Sequence, residues 1–504
     1  MRQFLFSFII ALVLPTGACT ASDVGARGGD NLISAQLATA DVAAARDDPA
    51  DVVISLEPAM TDDIFKQLSG PTQYKVASLY GSAAERIGQG PQAHQAFVRA
   101  TANSLATGAD WNQRMQSAIF VSDGQDAYAC FLLLTRRRDP LVGTFGSWQL
   151  SRFEQLVEQL PNAREAQLAI GRRMEWEDWQ PADAYDDASN VWLPYVEALV
   201  EQGDIAKAAA VAARITDPLI LVAMQSDRRF DALVATNPSL FDPDAAAQRR
   251  LDQAKRASEQ YPNYLSPKIA IVRALDILDR RAEALAIADD AARALAHESP
   301  GRPAFPDADQ ARVIVDERSE DLLVLGRADE AIGALAVTAQ RSGASYAVLS
   351  LGLALEKAGR GDEALNWLRG ARMDNMSLQE QMNLVQVTAC ADAEAGDQAE
   401  LRKQLDILGA HEAWSPRAIV EGLVCANQFD QAAIELERQL ADPRQRLSAL
   451  ASLQVYASEA KPLAHTKLME QRWVMLRARP DLQAAVAKVG RTKTYQLLPL
   501  LPEF

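Results

Sequence analysis

Histidine and cysteine are scarce in this 504-residue chain, at four each, and aromatic residues make up only 6%. His94, His297, His411 and His465 lie far apart and share no ligand spacing, so the sequence offers no metal site and no cofactor. HExxH, CxxC, GxSxG and P-loop patterns are all missing, which removes the usual signatures of metalloproteases, thiol redox proteins, serine hydrolases and NTPases. Gly88-Gln89-Gly90 and Gly359-Arg360-Gly361 are glycine-rich but follow no strand, so a dinucleotide site fails its structural test. No catalytic residue is assigned. Positive charge is also short: 51 Lys and Arg face 67 Asp and Glu, for a net charge of −16. Such a surface repels a phosphate backbone, so nucleic acid is excluded as a partner. The one basic cluster, Arg136 to Arg138, runs into Asp139-Pro140 and reads as a helix C-terminus. Gly and Pro fall mainly at segment ends while Ala and Leu are abundant, which favours helices over strands. The expected class is all-α.

Long apolar runs are absent except at the start. Arg2 followed by the apolar residues 4–14 and the small residues Thr16-Gly17-Ala18 reads as a secretory leader over 1–21, too short to span a bilayer as a mature helix. Thr16-Gly17-Ala18-Cys19 resembles the lipobox of bacterial lipoproteins, with Thr16 where Leu is usual. Cys19 is therefore the candidate lipid-attachment residue, and ordinary cleavage after Ala18 or Ala21 is the alternative. The polar, Gly- and Asp-containing stretch over 22–55 suits a flexible tether, interrupted by a short helix over 32–45. The expected address is exported: periplasmic, or anchored to the outer membrane through Cys19. Cys390 and Cys425 fall one repeat apart, on neighbouring helices whose axes should lie about 8–10 Å from each other. A disulfide needs Cα atoms within about 7 Å, so these two residues are expected to be buried free thiols.

From Met60 onward the apolar pattern is helical and repeats. Within 345–376, Leu351, Gly352, Leu355, Gly359, Ala364, Leu368 and Ala371 fall at offsets 7, 8, 11, 15, 20, 24 and 27 from Ser345. Small residues at 8 and 20 let two helices approach, large apolar residues fill the seam, and Gly359 ends the first helix. Tyr80, Gly81, Ala84, Gly88, Ala93, Phe97 and Ala100 repeat the pattern, as do Trp192, Tyr195, Leu199, Gly203 and Ala208. Ala284, Ala331, Ala364, Leu401 and Ala432 share offset 20, at spacings of 47, 33, 37 and 31. The widest spacing holds the Pro-rich insertion 297–309. Between 100 and 190 the register is loose, and an acidic, Trp-containing segment over 175–188 reads as a connector.

This spacing resembles the tetratricopeptide repeat, a helix-turn-helix unit of 34 residues. The resemblance implies an α-solenoid: degenerate repeats over 56–245, clearer repeats over 246–460, and capping helices with a tail over 461–504. Leu497 and the residues after it would pack back as a cap, or dock elsewhere if exposed. The family binds protein or peptide partners in a concave groove lined by the first helices. Carried onto this chain, the groove residues are Arg273, Asp276, Asp316, Glu317, Glu320, Tyr346, Leu349, Ser350 and Leu353. Their largely acidic or apolar character disfavours a terminal carboxylate and suits a basic or apolar segment. The resulting reading is a non-catalytic scaffold of the bacterial cell envelope that binds a protein partner and meets the membrane only through a lipid anchor. Its alternatives are a permanent accessory subunit of an envelope machine and a hydrolase with an unrecognised site.

Overall fold

A computed structural model describes residues 26–181, 188–297, 303–342, 345–371, 373, 376, 378–412, 415–459 and 462–498. The leader, Cys19, part of the acidic connector, part of the Pro-rich insertion and residues 499–504 lie outside the described residues. Among those described, 27 α-helices and four short 3₁₀ turns alternate, with isolated bridges at Asp227–Gly490 and Val455–Thr494 in place of strands. The class is all-α, built from antiparallel helix pairs stacked in sequence order. No described helix is long and apolar enough to cross a membrane.

One backbone device recurs through the stack. Nine residues between paired helices hold a positive φ: Asp47, Gly88, Ser122, Gly203, Asp279, Gly326, Gly359, Gly396 and Asn427. Gly359, for example, sits two residues past Ser345–Lys357 and two before Gly361–Leu368. A left-handed residue just beyond a helix reverses the chain within one turn. Across that turn, Gly352 faces Leu368: a Cβ on Gly352 would fall 2.3 Å from Leu368 Cδ2. Leu351, Leu355, Ala364 and Leu368 are buried in one core cluster with Leu322, Leu335 and Leu384 of the adjoining pairs. Each large apolar side chain buried there contributes about 1.5–3 kcal/mol.

Helix starts follow the sequence where Asp precedes Pro. Asp217 Oδ1 accepts from the amides of Leu219 and Ile220 at 2.8 and 3.0 Å, and Asp242 Oδ1 accepts from those of Asp244 and Ala245 at 3.0 and 3.1 Å. Asn237-Pro238 behaves differently, lying in a turn after Asp231–Thr236. The chain divides into two compact units, one over Phe4–Ala182 with Asn190–Leu199, the other mainly Val200–Phe504.

Three expectations need correction. The tether expected over 22–55 is instead a helix pair, Ala26–Ala45 and Pro49–Leu56, turning at Asp47. Ala40, Ala43, Val52, Val53 and Leu56 are buried with Tyr80 and Phe97, so the small apolar residues that read as spacer form a packed face. Cys390 and Cys425 are bonded, with Cα atoms 5.0 Å apart. Cα atoms stand about 2.3 Å off a helix axis, so residues that face each other on helices of ordinary spacing come within bonding reach. Among the described residues Cys130 is the free, buried thiol. The 461–504 block does more than cap. In the second unit its final strand-like stretch returns to the unit's beginning, with Arg491 N donating to Ser226 O at 2.9 Å and Leu498 N to Ile277 O at 3.0 Å. Tyr495 and Leu497 are buried among Val222, Ala247 and Ile277. The two ends of this unit are thereby joined.

The turn geometry makes a prediction. A Cβ at Gly359 meets nothing within 4 Å, so Gly359→Ala reads out backbone strain alone and should cost about 1–2 kcal/mol. Ser122→Gly should change stability in the opposite direction, by less than about 1 kcal/mol once its added chain freedom is counted. Urea midpoints check both; a neutral Gly359→Ala would show that the left-handed turn is not a constraint.

Candidate functional site

Nine groove residues were expected from the repeat register, and they fall on three successive first helices, Leu265–Ile277, Ala311–Val324 and Ser345–Lys357. Their charges mostly find one another. Arg273 Nε donates to Glu317 Oε1 at 2.6 Å, and Lys357 Nζ reaches both Glu320 oxygens at 2.6 and 2.7 Å. The Arg312 guanidinium lies 4.3 Å from the Tyr346 ring centroid, a cation–π contact. Burial pushes the Asp316 carboxyl up to about 6, against the pull of the Ser350 hydroxyl and Arg312. Asp316, Glu317, Glu320, Ser350 and Leu353 line one cavity of about 190 Å³.

Asp276 is not part of that surface. It is 0% exposed, as is Asp321, and both carboxylates approach the same Arg281 Nη1, at 3.1 and 3.2 Å. One guanidinium cannot fully compensate two buried carboxylates. Burial pushes Asp276 up to about 9, with the neighbouring Asp321 adding to the shift and Arg281 opposing it. Asp321 is pushed up to about 6 for the same first reason. The acidic residue at this register position therefore faces the interior between repeats.

The same face continues into a larger cavity of about 430 Å³. Leu349 and Leu353 contribute to it, as do the amide side chains of Gln379, Asn383 and Gln386 at i, i+4 and i+7 on Leu378–Ala395. Its far wall was not anticipated. Helix Ala464–Arg477 crosses the first-helix face, packing on Ser345–Lys357 and Pro416–Cys425, and brings His465 and Met469 to the cavity. His465 Nε2 lies 2.7 Å from Glu356 Oε1, and Nδ1 lies 2.6 Å from Glu394 Oε1. Burial pushes this imidazole down, but the two carboxylates outweigh it and hold it at about 9. Arg472 Nη1 donates to Cys425 O at 2.7 Å, fixing the helix a second time.

Both His465 nitrogens are engaged by carboxylates, and the two cysteines in the cavity are bonded to each other. Sequence reasoning missed Glu356, Glu394 and His465 because His465 lies beyond the recognisable repeats, where register gives no neighbour. The only signal was Glu356 at offset 12 of its unit, a position on the groove face.

The buried acid pair yields a pH prediction. Because the folded-state values of Asp276 and Asp321 are raised, their contribution to stability is full below about pH 4 and is lost as pH rises through about 6 and then 9. The stability of Asp276→Asn relative to wild type should accordingly increase with pH across that interval, in paired urea titrations. A difference independent of pH would mean that Asp276 ionises normally. Arg281→Met, which strands the carboxylates, should cost about 3–5 kcal/mol at neutral pH.

Neither a family model nor a curated protein matches the chain. Among solved structures, the chain is similar to one in the APC/C hetero-tetramer Cut9–Hcn1, at 10% identity and a TM-score of 0.29, covering 92% of each chain. It is also similar to yeast Tom70, at 11% identity and a TM-score of 0.34, covering 91% of this chain and 99% of that one. At these scores the likeness carries no argument about the site, and the solenoid assignment stands on the helix pairs themselves.

Proposed function

We propose that this chain is a non-catalytic scaffold that holds a protein or peptide segment on the first-helix face of its second unit. The observation that carries the reading is the cavity of about 430 Å³ with its row of amides, Gln379, Asn383 and Gln386. Side-chain amides both donate and accept, which suits the backbone of an extended segment independently of its sequence. On the preceding first helices Arg273, Glu317, Glu320 and Tyr346 form a largely paired, charged stretch, and Leu349 and Leu353 add apolar surface to the cavity. Helix Ala464–Arg477 narrows the face, so the bound segment is short and enters beside His465.

The proposed setting is the bacterial cell envelope, after export through the leader at 1–21 and with Cys19 as the lipid-bearing residue. The bond between Cys390 and Cys425 agrees with such an address, since disulfides persist in oxidising compartments. A second reading, a permanent accessory subunit, draws on Leu468, Val474 and Met475, which are exposed on one helix at 37, 58 and 52%.

Crosslinking and affinity capture from intact envelopes test the proposal. The captured partner should be retained by wild type and by Ile434→Asp, which alters an exposed side chain on Phe429–Ala441. It should be lost from the double variant Asn383→Ala, Gln386→Ala. Loss from Val474→Asp, Met475→Ser instead would move the interface to the outer side of helix Ala464–Arg477 and favour the accessory subunit. Cys19→Ser should release the protein from the membrane fraction; unchanged fractionation would remove the lipid anchor from the reading.

A further inference from the structure

Six side chains with metal-ligating atoms converge at the His465 end of the cavity. One oxygen of Glu356 and the sulfurs of Cys390 and Cys425 lie within 4.8 Å of one another; so do ligand atoms of Glu356, Glu394 and His465. Glu356 belongs to both groups. It is 3% exposed, His465 is 9% exposed, and Cys390 and Cys425 are 1% and 4% exposed. Met469 Sδ lies 3.7 Å from Cys425 Sγ. These residues come from four different helices, so their meeting is a property of the fold and not of a local sequence cluster.

We propose that Cys390, Cys425, Glu356 and His465 form a zinc site when the disulfide is open. Two thiolates, one carboxylate and one imidazole are a donor set that zinc accepts in tetrahedral geometry. Glu356 is the ligand common to the two groups, and opening the Cys390–Cys425 bond frees the sulfurs to turn toward His465. His465 Nε2 sits 2.7 Å from Glu356 Oε1, so an ion entering between them would part the two by about 0.6 Å to reach the edge of about 3.3 Å that nitrogen and oxygen ligands share on a zinc tetrahedron. Glu394 supplies the outer partner. Its carboxylate faces Nδ1 at 2.6 Å, which fixes the ring and directs Nε2 to the metal, the carboxylate–histidine arrangement that supports metal-binding imidazoles. The adjoining cavity gives an ion a path of entry.

The chemistry balances with an external dithiol as reductant. Its two thiols pass two electrons and two protons to the Cys390–Cys425 bond, leaving two cysteine thiols and an oxidised, cyclic disulfide. Zinc(II) then displaces the two thiol protons and the proton on His465 Nε2, with no change in metal oxidation state. Cys390 and Cys425 thus alternate between a bond that joins helices Leu378–Ala395 and Pro416–Cys425 and a metal-held link that also takes in His465 of helix Ala464–Arg477, which in the oxidised state is held by Glu356 and Glu394. In the oxidised state the sulfurs are unavailable and zinc has no site.

The test uses the full mature chain, either air-oxidised or reduced by a dithiol under argon. Each form is incubated with zinc chloride, desalted and assayed for bound metal by mass spectrometry. Cobalt(II) serves as a spectroscopic probe for thiolate-to-metal charge transfer, and far-ultraviolet circular dichroism follows the fold. The reduced wild type should retain one zinc per chain and the oxidised form none. Cys390→Ser and Cys425→Ser should abolish retention and the cobalt band, whereas Cys130→Ser should leave both intact. Glu394→Gln should weaken zinc affinity by about 10–100-fold without removing the band. Absence of zinc from reduced, helical wild type would overturn the proposal, as would equal retention by His465→Gln and wild type. Helicity lost on reduction and not restored by zinc would overturn it as well.

Discussion

Everything in this molecule depends on reversing the chain within three residues, again and again, without losing the contact between paired helices. The left-handed residue at each turn meets that demand. It stops the first helix, leaves room for a three-residue connection and starts the second helix close enough for a small residue to face a large one, as Gly352 faces Leu368. Helix pairs built this way cannot bury both faces, so each pair is stable only against its neighbours. The core is consequently a series of linked clusters, with Leu322, Leu335 and Leu384 of adjoining pairs meeting Leu351 and Leu368.

Much of this was legible where glycine occupies the turn. Gly88, Gly203 and Gly359 carry the register, and the pairs around them were read directly from the sequence. At Asp47, Ser122, Asp279 and Asn427 the same backbone is held by other residues; Ala284 and Ala432 keep the register after Asp279 and Asn427, but around Asp47 and Ser122 it blurs. The pairs Gly108–Phe120 with Gly124–Arg136, and Ala26–Ala45 with Pro49–Leu56, were hidden for this reason. A glycine announces a left-handed turn from composition alone; an Asp or Ser adopts one only under constraint from the surrounding helices. The Ala-rich stretch before Asp47 reads as spacer until Tyr80 and Phe97 are known to cover it.

The site was legible in outline and illegible in detail, for a related reason. Register places Arg273, Asp316, Glu317 and Glu320 on first helices, and they do lie there. Register cannot say which side chains neutralise one another across repeats, since that depends on the angle between adjacent pairs. Hence Arg273 is engaged with Glu317 and Lys357 with Glu320, while Asp276 turns inward to share Arg281 with Asp321. The close approach of Cys390 and Cys425 is a matter of facing: helices at ordinary spacing allow the bond where the two Cα atoms point at each other, which register alone does not specify.

Helix Ala464–Arg477 changes what the repeat face can be. In an open stack, the first-helix face is a continuous trough and its affinity for a partner grows with the number of repeats engaged. Here the chain lays its own helix across that face and then joins its end to helix Pro218–Ser226 through Arg491 and Ser226. A helix anchored on both sides cannot leave without breaking either the buried His465–Glu356 contact or the join behind it, and breaking a buried charge pair by losing one partner is costly. The helix is therefore a fixed wall rather than a removable occupant. What it leaves is a bounded cavity, with amides on one side and the His465–glutamate cluster on the other, in place of an open trough.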